Sequence, residues 1–261
     1  MTEEQKSLQW LSAILDILRK ECPWDRAQSI DSLRYLTVEE VFELSEAIVA
    51  NNREEMRKEL GDLFMHLLFY AKIADDEGSF TAADVLDGIC RKLVARHPHI
   101  ALPDRDGVLQ SARQAEVPAW EQVKMREGRH SVLEGVPAGL PPLVKAIRMQ
   151  EKVAGMGFEF ADAAAARAKA DEEFGEFLAS LGEDDAAHAE EELGDLLFAL
   201  VNWARMRGLN ADDALTRANQ KFRSRFGYVE QHAQLAGKSV SDLTAEEMVA
   251  LWREAKREEN R

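Results

Sequence analysis

Glu39-Glu40-Val41-Phe42-Glu43, followed after fifteen residues by Glu59-Leu60-Gly61-Asp62-Leu63, is written a second time as Glu172-Glu173-Phe174-Gly175-Glu176 and Glu192-Leu193-Gly194-Asp195-Leu196, each piece 133 residues on. One offset shared by two separate pieces marks an internal duplication, which decides the architecture before any single element is read. Further along, Asp84, Leu86, Lys92 and Arg96 match Asp213, Leu215, Lys221 and Arg225 at an offset of 129, so the second copy is four residues shorter in the loop between. Trp120-Glu-Gln-Val-Lys124 and Trp252-Arg-Glu-Ala-Lys256 then match at 132. Between the copies, Gly128 to Pro142 holds three glycines and three prolines, a composition that cannot continue a helix. The expected organisation is an N-terminal helical domain over 1–127, a connector over 128–142 and a C-terminal helical domain over 143–261.

Apolar residues recur at helical spacing, as in Phe174, Phe177, Leu178 and Leu181 or Leu215, Ala218, Phe222 and Phe226, and no stretch alternates as a strand would. Each copy reads as about four helices, an all-α chain. Asn52-x-x-Glu55, Thr81-x-x-Asp84 and Asn210-x-x-Asp213 signal helix starts, where a side-chain oxygen caps free amides of the first turn. If the two acidic helices of each copy fold back so that their acids face one another, the bends must fall at residue 51, where Asn51-Asn52 stands, and at 184, within Gly182-Glu183-Asp184.

Helical geometry gathers Glu172, Glu173 and Glu176 into one arc beside the apolar stripe, and sets Glu192 and Asp195 on one face of the next helix. A solvated acidic face is the plain reading of such clusters in a chain with 33 basic and 48 acidic residues and a net charge of −15. Against it, Leu193 to Ala204 carries only Asp195 and Asn202 as strongly polar residues, and Leu60 to Ala71 only Asp62 and His66, so these helices are expected to be buried. Buried like charges require a cation. Oxygen ligands select a hard ion, so Mg²⁺ is expected, with Mn²⁺ as substitute, and Mg²⁺ held by few carboxylates keeps sites open for a small polyphosphate. Lys221 and Arg225, with Lys92 and Arg96 in the first copy, are candidate phosphate contacts, though basic residues toward a helix end also suit the helix dipole.

The negative charge disfavours nucleic acid and anionic membrane as partners. The longest apolar runs, Leu63 to Ala71 and Leu196 to Val201, fall well short of the ~20 residues a membrane span needs. Cys22 and Cys90 form no paired motif, and the acidic start is unlike a secretory signal, so a reducing cytoplasm is expected.

The doubled Glu-Glu-x-x-Glu and Glu-x-x-Asp, with Cys22-Pro-Trp-Asp25 and Glu-Leu-Gly-Asp-Leu, resembles the MazG family of nucleoside triphosphate pyrophosphohydrolases in its tandem-domain form. That resemblance implies two MazG-like domains whose acidic hairpins complete four-helix bundles. It also implies a Mg²⁺-dependent enzyme that splits a nucleoside triphosphate into monophosphate and pyrophosphate, usually as a homodimer, in nucleotide pool sanitation or stress-linked nucleotide control. Carried over position by position, Glu173, Glu176, Glu192 and Asp195 would ligate metal. Glu172 would help bind a second ion or orient the attacking water; Lys169, Lys221 and Arg225 would contact phosphates; Asn202 would lie beside the nucleotide. Glu39, Glu40, Glu43, Glu59 and Asp62 form the corresponding set in the first copy.

The copies are unequal: Lys169 corresponds to Leu36, Asn202 to Phe69 and Ala199 to His66, so the second is expected to be the main catalytic unit. Trp24, Phe158 and Phe160 are read as core before base-stacking, His97 and His99 as a surface turn, and Trp120 and Trp252 as packing anchors. Two rivals stand. A ferritin-like di-metal carboxylate bundle needs Glu-x-x-His pairs on two helices, and only Glu127-x-x-His130, at the connector, fits. A non-catalytic helical regulatory or interaction protein predicts no metal-dependent turnover.

Overall fold

In the computed structural model, which describes residues 1–112 and 130–259, local capping chemistry sets most helix starts. Thr2 and Gln5 form a reciprocal capping box at the start of α1 (Glu3–Glu21), and Pro23 opens the short α2 (Pro23–Ala27) at the position where a missing N–H costs nothing. Ser29 caps α3 (Ile30–Val49), Asn52 caps α4 (Arg53–Asp76) through the Glu55 amide at 3.2 Å, and Thr81 with Asp84 boxes the start of α5 (Ala82–Arg96). In the second half, α6 (Pro142–Ala154) begins at a proline. Asp162 accepts from two amides of α7 (Ala163–Ser180), Asp185 caps α8 (Ala186–Met206) and Asn210 caps α9 (Ala211–Leu235). A single 3₁₀ turn, Val240–Asp242, precedes α10 (Ala245–Glu258). The three helix starts expected from sequence are all made by the residues named.

The chain forms two compact units, over 1–118 and 119–261. In the first, α3 and α4 pack as an antiparallel hairpin that turns through Asn51, the one non-glycine residue with positive φ (52°) among the described residues. Asparagine tolerates the left-handed region better than most side chains, which suits it to this bend. Leu15 of α1, Leu33 of α3, and Phe69 and Ile73 of α4 make the buried core, with Leu11, Leu18, Leu36, Met65, Leu68 and Tyr70 around it. α5 packs against α4.

The second unit repeats the plan with smaller core residues. α7 and α8 form the hairpin, bending between Ser180 and Ala186 as expected, while α6 and α9 pack on α8 and α10 packs on α9. Ala166 and Ala170 on α7, Leu196, Ala199 and Val201 on α8, and Val229 and Ala233 on α9 are buried. Residues 130–141, the described part of the expected connector, form turns held to α6 by buried Lys152, whose ammonium donates to the Val132 carbonyl at 3.1 Å. Trp120, Lys124, Glu127 and Gly128 lie outside the described residues.

One expectation is corrected here. The acidic helices are apolar on nearly every side, yet in a single chain only one face of each is buried. Phe42 on α3, Phe64 and Leu67 on α4, Phe174 and Leu178 on α7, and Leu197 and Phe198 on α8 are exposed. Apolar content fixes how much surface wants cover, while the partners available within one unit fix how much is covered. Trp24, Phe158 and Phe160 are likewise exposed rather than core.

Candidate active site

On the first hairpin, Glu40 and Glu43 of α3 and Glu59 of α4 each present a carboxylate oxygen, and the three lie within 4.8 Å of one another. Glu59 is buried and Glu40 half-buried. Loss of solvent pushes both carboxyls above the ordinary carboxylate range, with the Asp62 charge adding to each. The Glu59 charge does most to push Glu43 up. Glu39 is exposed and contributes a weaker repulsion to Glu40 and Glu43.

On the second hairpin, Glu173 of α7 and Glu192 and Asp195 of α8 converge in the same way, again within 4.8 Å. Glu173 is buried, Glu192 half-buried and Asp195 exposed, so the cluster opens to solvent on the Asp195 side. Glu176 is exposed one turn beyond Glu173, and partial desolvation followed by the Glu173 charge pushes its carboxyl up. Glu172 is exposed and held by Lys169, whose ammonium reaches Glu172 Oε1 at 2.6 Å and Glu173 Oε1 at 2.7 Å. Those two bonds raise Lys169 above the usual lysine range. The residue inferred as a phosphate contact therefore serves in the ion-free site as an internal counter-charge.

A second cation at this site went unnoticed in the sequence. His188 on the first turn of α8 stands 2.9 Å from Glu183 Oε2 through Nδ1 and 3.1 Å from Glu192 Oε1 through Nε2. Its pKa is raised, chiefly by the bond to Glu183. The i, i+4 spacing to Glu192 was a visible signal, overlooked because Glu-x-x-His was the pattern sought. The positions of Lys169 and His188 correspond in the first unit to Leu36 and Glu55, which fits the raised carboxyls of Glu40, Glu43 and Glu59. His66, one turn beyond Asp62, is a satisfied core histidine: it is buried, bonded to Thr37 Oγ1 at 3.3 Å, and its pKa is lowered by desolvation.

Two turns along α8 from Asp195, and on the same face, Asn202 borders a cleft of about 270 Å³. Gln150 and Val153 of α6, Gly157 to Phe160, Asn202 and Arg205 line it. Gly157 turns the chain at φ 90°, a conformation other residues rarely adopt, and leaves the Phe158 ring 81% exposed at the cleft. Arg205 donates through NH2 to Glu159 Oε1 and, at 2.7 Å, to Asn202 Oδ1. Buried Gln150 donates through Nε2 to the Phe198 carbonyl at 2.9 Å. In the first unit the matching space is filled: Phe69, at the position of Asn202, is buried in the core with Leu15, and the Arg19 guanidinium lies 5.5 Å from its ring centroid.

Of the remaining predicted cations, Lys92, exposed, and Arg96, buried, sit on α5, and Lys221 and Arg225 on α9. Lys221 is exposed, and Arg225 bonds Glu259 Oε2 at 2.8 Å and lies 5.7 Å from the Trp252 ring centroid. Trp252 packs as the expected anchor, 5.2 Å from Phe222. His97 ends α5 as part of a turn with its ring 5.9 Å from that of His99.

A duplicated hairpin with three converging carboxylates in each copy is the arrangement to set beside known proteins. The MazG nucleotide pyrophosphohydrolase domain matches this chain twice, over residues 28–101 and 161–229, spans that contain both acidic hairpins. The chain belongs to the MazG family. Several curated relatives match most of its length. It is 37% identical to the nucleoside triphosphate pyrophosphohydrolase of Escherichia coli K12, over 91% of each chain. It is 35% identical to the nucleoside triphosphate pyrophosphohydrolase/pyrophosphatase MazG of Thermotoga maritima, over 94% of each. The uncharacterized protein YabN of Bacillus subtilis is 40% identical over 92% of this chain and 49% of its own length. Among the described residues no helix is long and apolar enough to cross a membrane.

Proposed function

We propose that this chain hydrolyses nucleoside triphosphates to nucleoside monophosphate and pyrophosphate with Mg²⁺, Mn²⁺ serving as substitute, and that the second unit carries the reaction. The observation that carries this reading is the convergence of Glu173, Glu192 and Asp195 within 4.8 Å, beside a lysine and one end of a cleft. An all-oxygen donor set, partly buried and open on one side, fits a hard divalent ion that keeps coordination sites for phosphate and water. Bound there, such an ion would polarise phosphate oxygens and make its bound water acidic.

The chain's own residues then divide the work. Glu173, Glu192 and Asp195 hold the metal, with His188 fixing the orientation of Glu192. Glu176 joins them as a ligand, and Glu172 orients the attacking water and takes up its proton, or helps hold a second ion. Lys169 swings from its two glutamates to the phosphate chain, and Lys221 and Arg225 provide further positive charge as the leaving pyrophosphate gains its own. Water oxygen bonds to the α-phosphorus while the bond from that phosphorus to the bridging oxygen breaks, and pyrophosphate leaves with that oxygen. Asn202 lies beside the nucleoside, about 10 Å along α8 from Asp195.

In the first unit Leu36 and Phe69 stand where Lys169 and Asn202 serve, so that unit binds metal without efficient turnover. The exposed apolar faces around Phe64, Leu67, Leu197 and Phe198 support a homodimer, in which a second chain covers them. Sedimentation as a monomer at micromolar concentration would remove that part. The free thiols of Cys22 and Cys90 suit the reducing cytoplasm, where removal of aberrant nucleotides or adjustment of pools under stress is the proposed role. The deciding experiment is hydrolysis of a triphosphate panel in ¹⁸O-labelled water with Mg²⁺. Label is expected in the monophosphate alone; label in pyrophosphate, or release of orthophosphate, refutes the assignment.

A further inference from the structure

We propose that Gln150 and Arg205 read the edge of the nucleobase, making the cleft beside Asn202 the place where this enzyme tells one base from another. The inference rests on the hydrolase reading above and names the residues that give it base preference.

Two residues lining this cleft each carry a buried polar atom with no hydrogen-bond partner among the described residues: Gln150 Oε1 and Arg205 Nε. Buried polar groups are nearly always paired, and an unpaired one in a cleft is a group awaiting a ligand. Gln150 is only 3% exposed and cannot turn its amide over, because Nε2 is committed to the Phe198 carbonyl and a flip would set oxygen against oxygen. It therefore offers an acceptor and only an acceptor. Arg205 is fixed as firmly, with Glu159 and Asn202 both taking NH2, so its Nε offers a donor. An acceptor and a donor carried by residues of one cleft match a heterocycle that presents an N–H next to a ring nitrogen or carbonyl, which is the Watson–Crick edge of a nucleobase.

The surrounding groups fit the same occupant. Phe158 presents an exposed ring at the cleft, a surface on which a base stacks. In the first unit, by contrast, Phe69 stands at the position of Asn202 and packs with Leu15 in the core. A site built to hydrogen-bond a particular edge discriminates strongly, because the wrong edge leaves its buried atoms unpaired.

The test uses the whole protein with Gln150→Met, which keeps the side chain's shape, and Arg205→Lys, which keeps the charge facing Glu159 but loses Nε–H. Steady-state hydrolysis is measured on the nucleoside triphosphate that the wild type takes at lowest KM and on ribose 5-triphosphate, which has no base. Binding of the nucleoside monophosphate and of ribose 5-phosphate is followed by calorimetry. Each substitution is expected to raise KM, and the Kd of the monophosphate, about five- to tenfold with kcat held, the loss of one hydrogen bond at ~1.4 kcal/mol per tenfold. The base-free compounds are expected to respond identically in wild type and variants. An equal loss on base-containing and base-free ligands makes both residues merely structural, and no loss on either removes them from recognition; both results overturn the inference. If the wild type hydrolyses no triphosphate, the proposed reaction falls by itself, while monophosphate binding still decides the role of Gln150.

Discussion

Replacing Lys169 by methionine isolates the charge balance of the second acidic cluster. In the ion-free protein this ammonium lies 2.7 Å from Glu173, and without it the buried Glu173 carboxylate faces Glu192 and Asp195 with only the His188 imidazole, beside Glu192, as a basic partner. Coulomb's law for charges 4.8 Å apart gives about 1 kcal/mol per pair in water and about 3.5 kcal/mol at the effective dielectric of a protein surface. The Lys169 side chain is 38% exposed, so solvent screening keeps the net loss well below the low-dielectric figure. In a unit of this size that lowers the melting temperature by ~2–8 °C in chelator. Millimolar Mg²⁺ should close most of the gap, since a divalent ion supplies more charge at the same place than the lysine removed. Thermal melts of wild type and Lys169→Met, each in chelator and in Mg²⁺, read all four quantities. Equal melting temperatures in chelator, or an identical Mg²⁺ increment in both proteins, would refute the account of Lys169 as internal counter-charge.

Further outcomes follow from the same geometry. Glu173→Gln and Asp195→Asn should each abolish Mg²⁺-dependent hydrolysis while retaining the helical circular dichroism of the wild type, and Glu40→Gln should leave most turnover; the reverse pattern in a kinetic assay would assign the reaction to the first unit. The raised carboxyls of Glu40, Glu43 and Glu59 mean that the folded, metal-free first unit holds protons the unfolded chain would release. Their contribution to stability is complete below about pH 4.5 and is lost as pH rises through the raised values, so the melting temperature in chelator should fall toward neutrality, less steeply in Glu40→Gln, with Mg²⁺ protection growing over the same interval. A fall of equal slope in Glu40→Gln counts against the cluster as its cause. Leu15→Ala empties the centre of the first core and should cost that unit about 2–5 kcal/mol by denaturant titration, with hydrolysis by the second unit surviving where the first has begun to melt.

Much of this protein could be read from its residues because the decisive features are local or repeated. The duplication fixed the hairpins, the midpoints between acids located both bends, and Asn52, Thr81 and Asn210 marked helix starts through bonds to amides only two or three residues away. The three carboxylates of each cluster were legible for the same reason. What escaped depends on how separate segments meet. Gln150 belongs to no motif, and its importance comes from Phe198, 48 residues away, which fixes the amide. Lys169 was inferred as a phosphate contact, and spacing alone does not say whether an ammonium pairs with its own glutamates or waits for phosphate. The exposure of Phe64 and Leu197 was misjudged because periodicity measures how apolar a helix is, and says nothing of how many neighbours one unit can supply.

The two hairpins reach the same acid spacing by different routes. The first spends three residues, 50–52, between its helices, and the second spends five, 181–185, yet fifteen residues separate Glu43 from Glu59 and Glu176 from Glu192 alike. The conformation of the bend is therefore free to drift, while the contour length across it is not. A residue inserted in the second corner and taken up by the register of α8 would turn Glu192 and Asp195 by ~100° away from Glu173, and one taken up by α4 at the first corner would do the same to Glu59, dismantling either cluster without altering one acid.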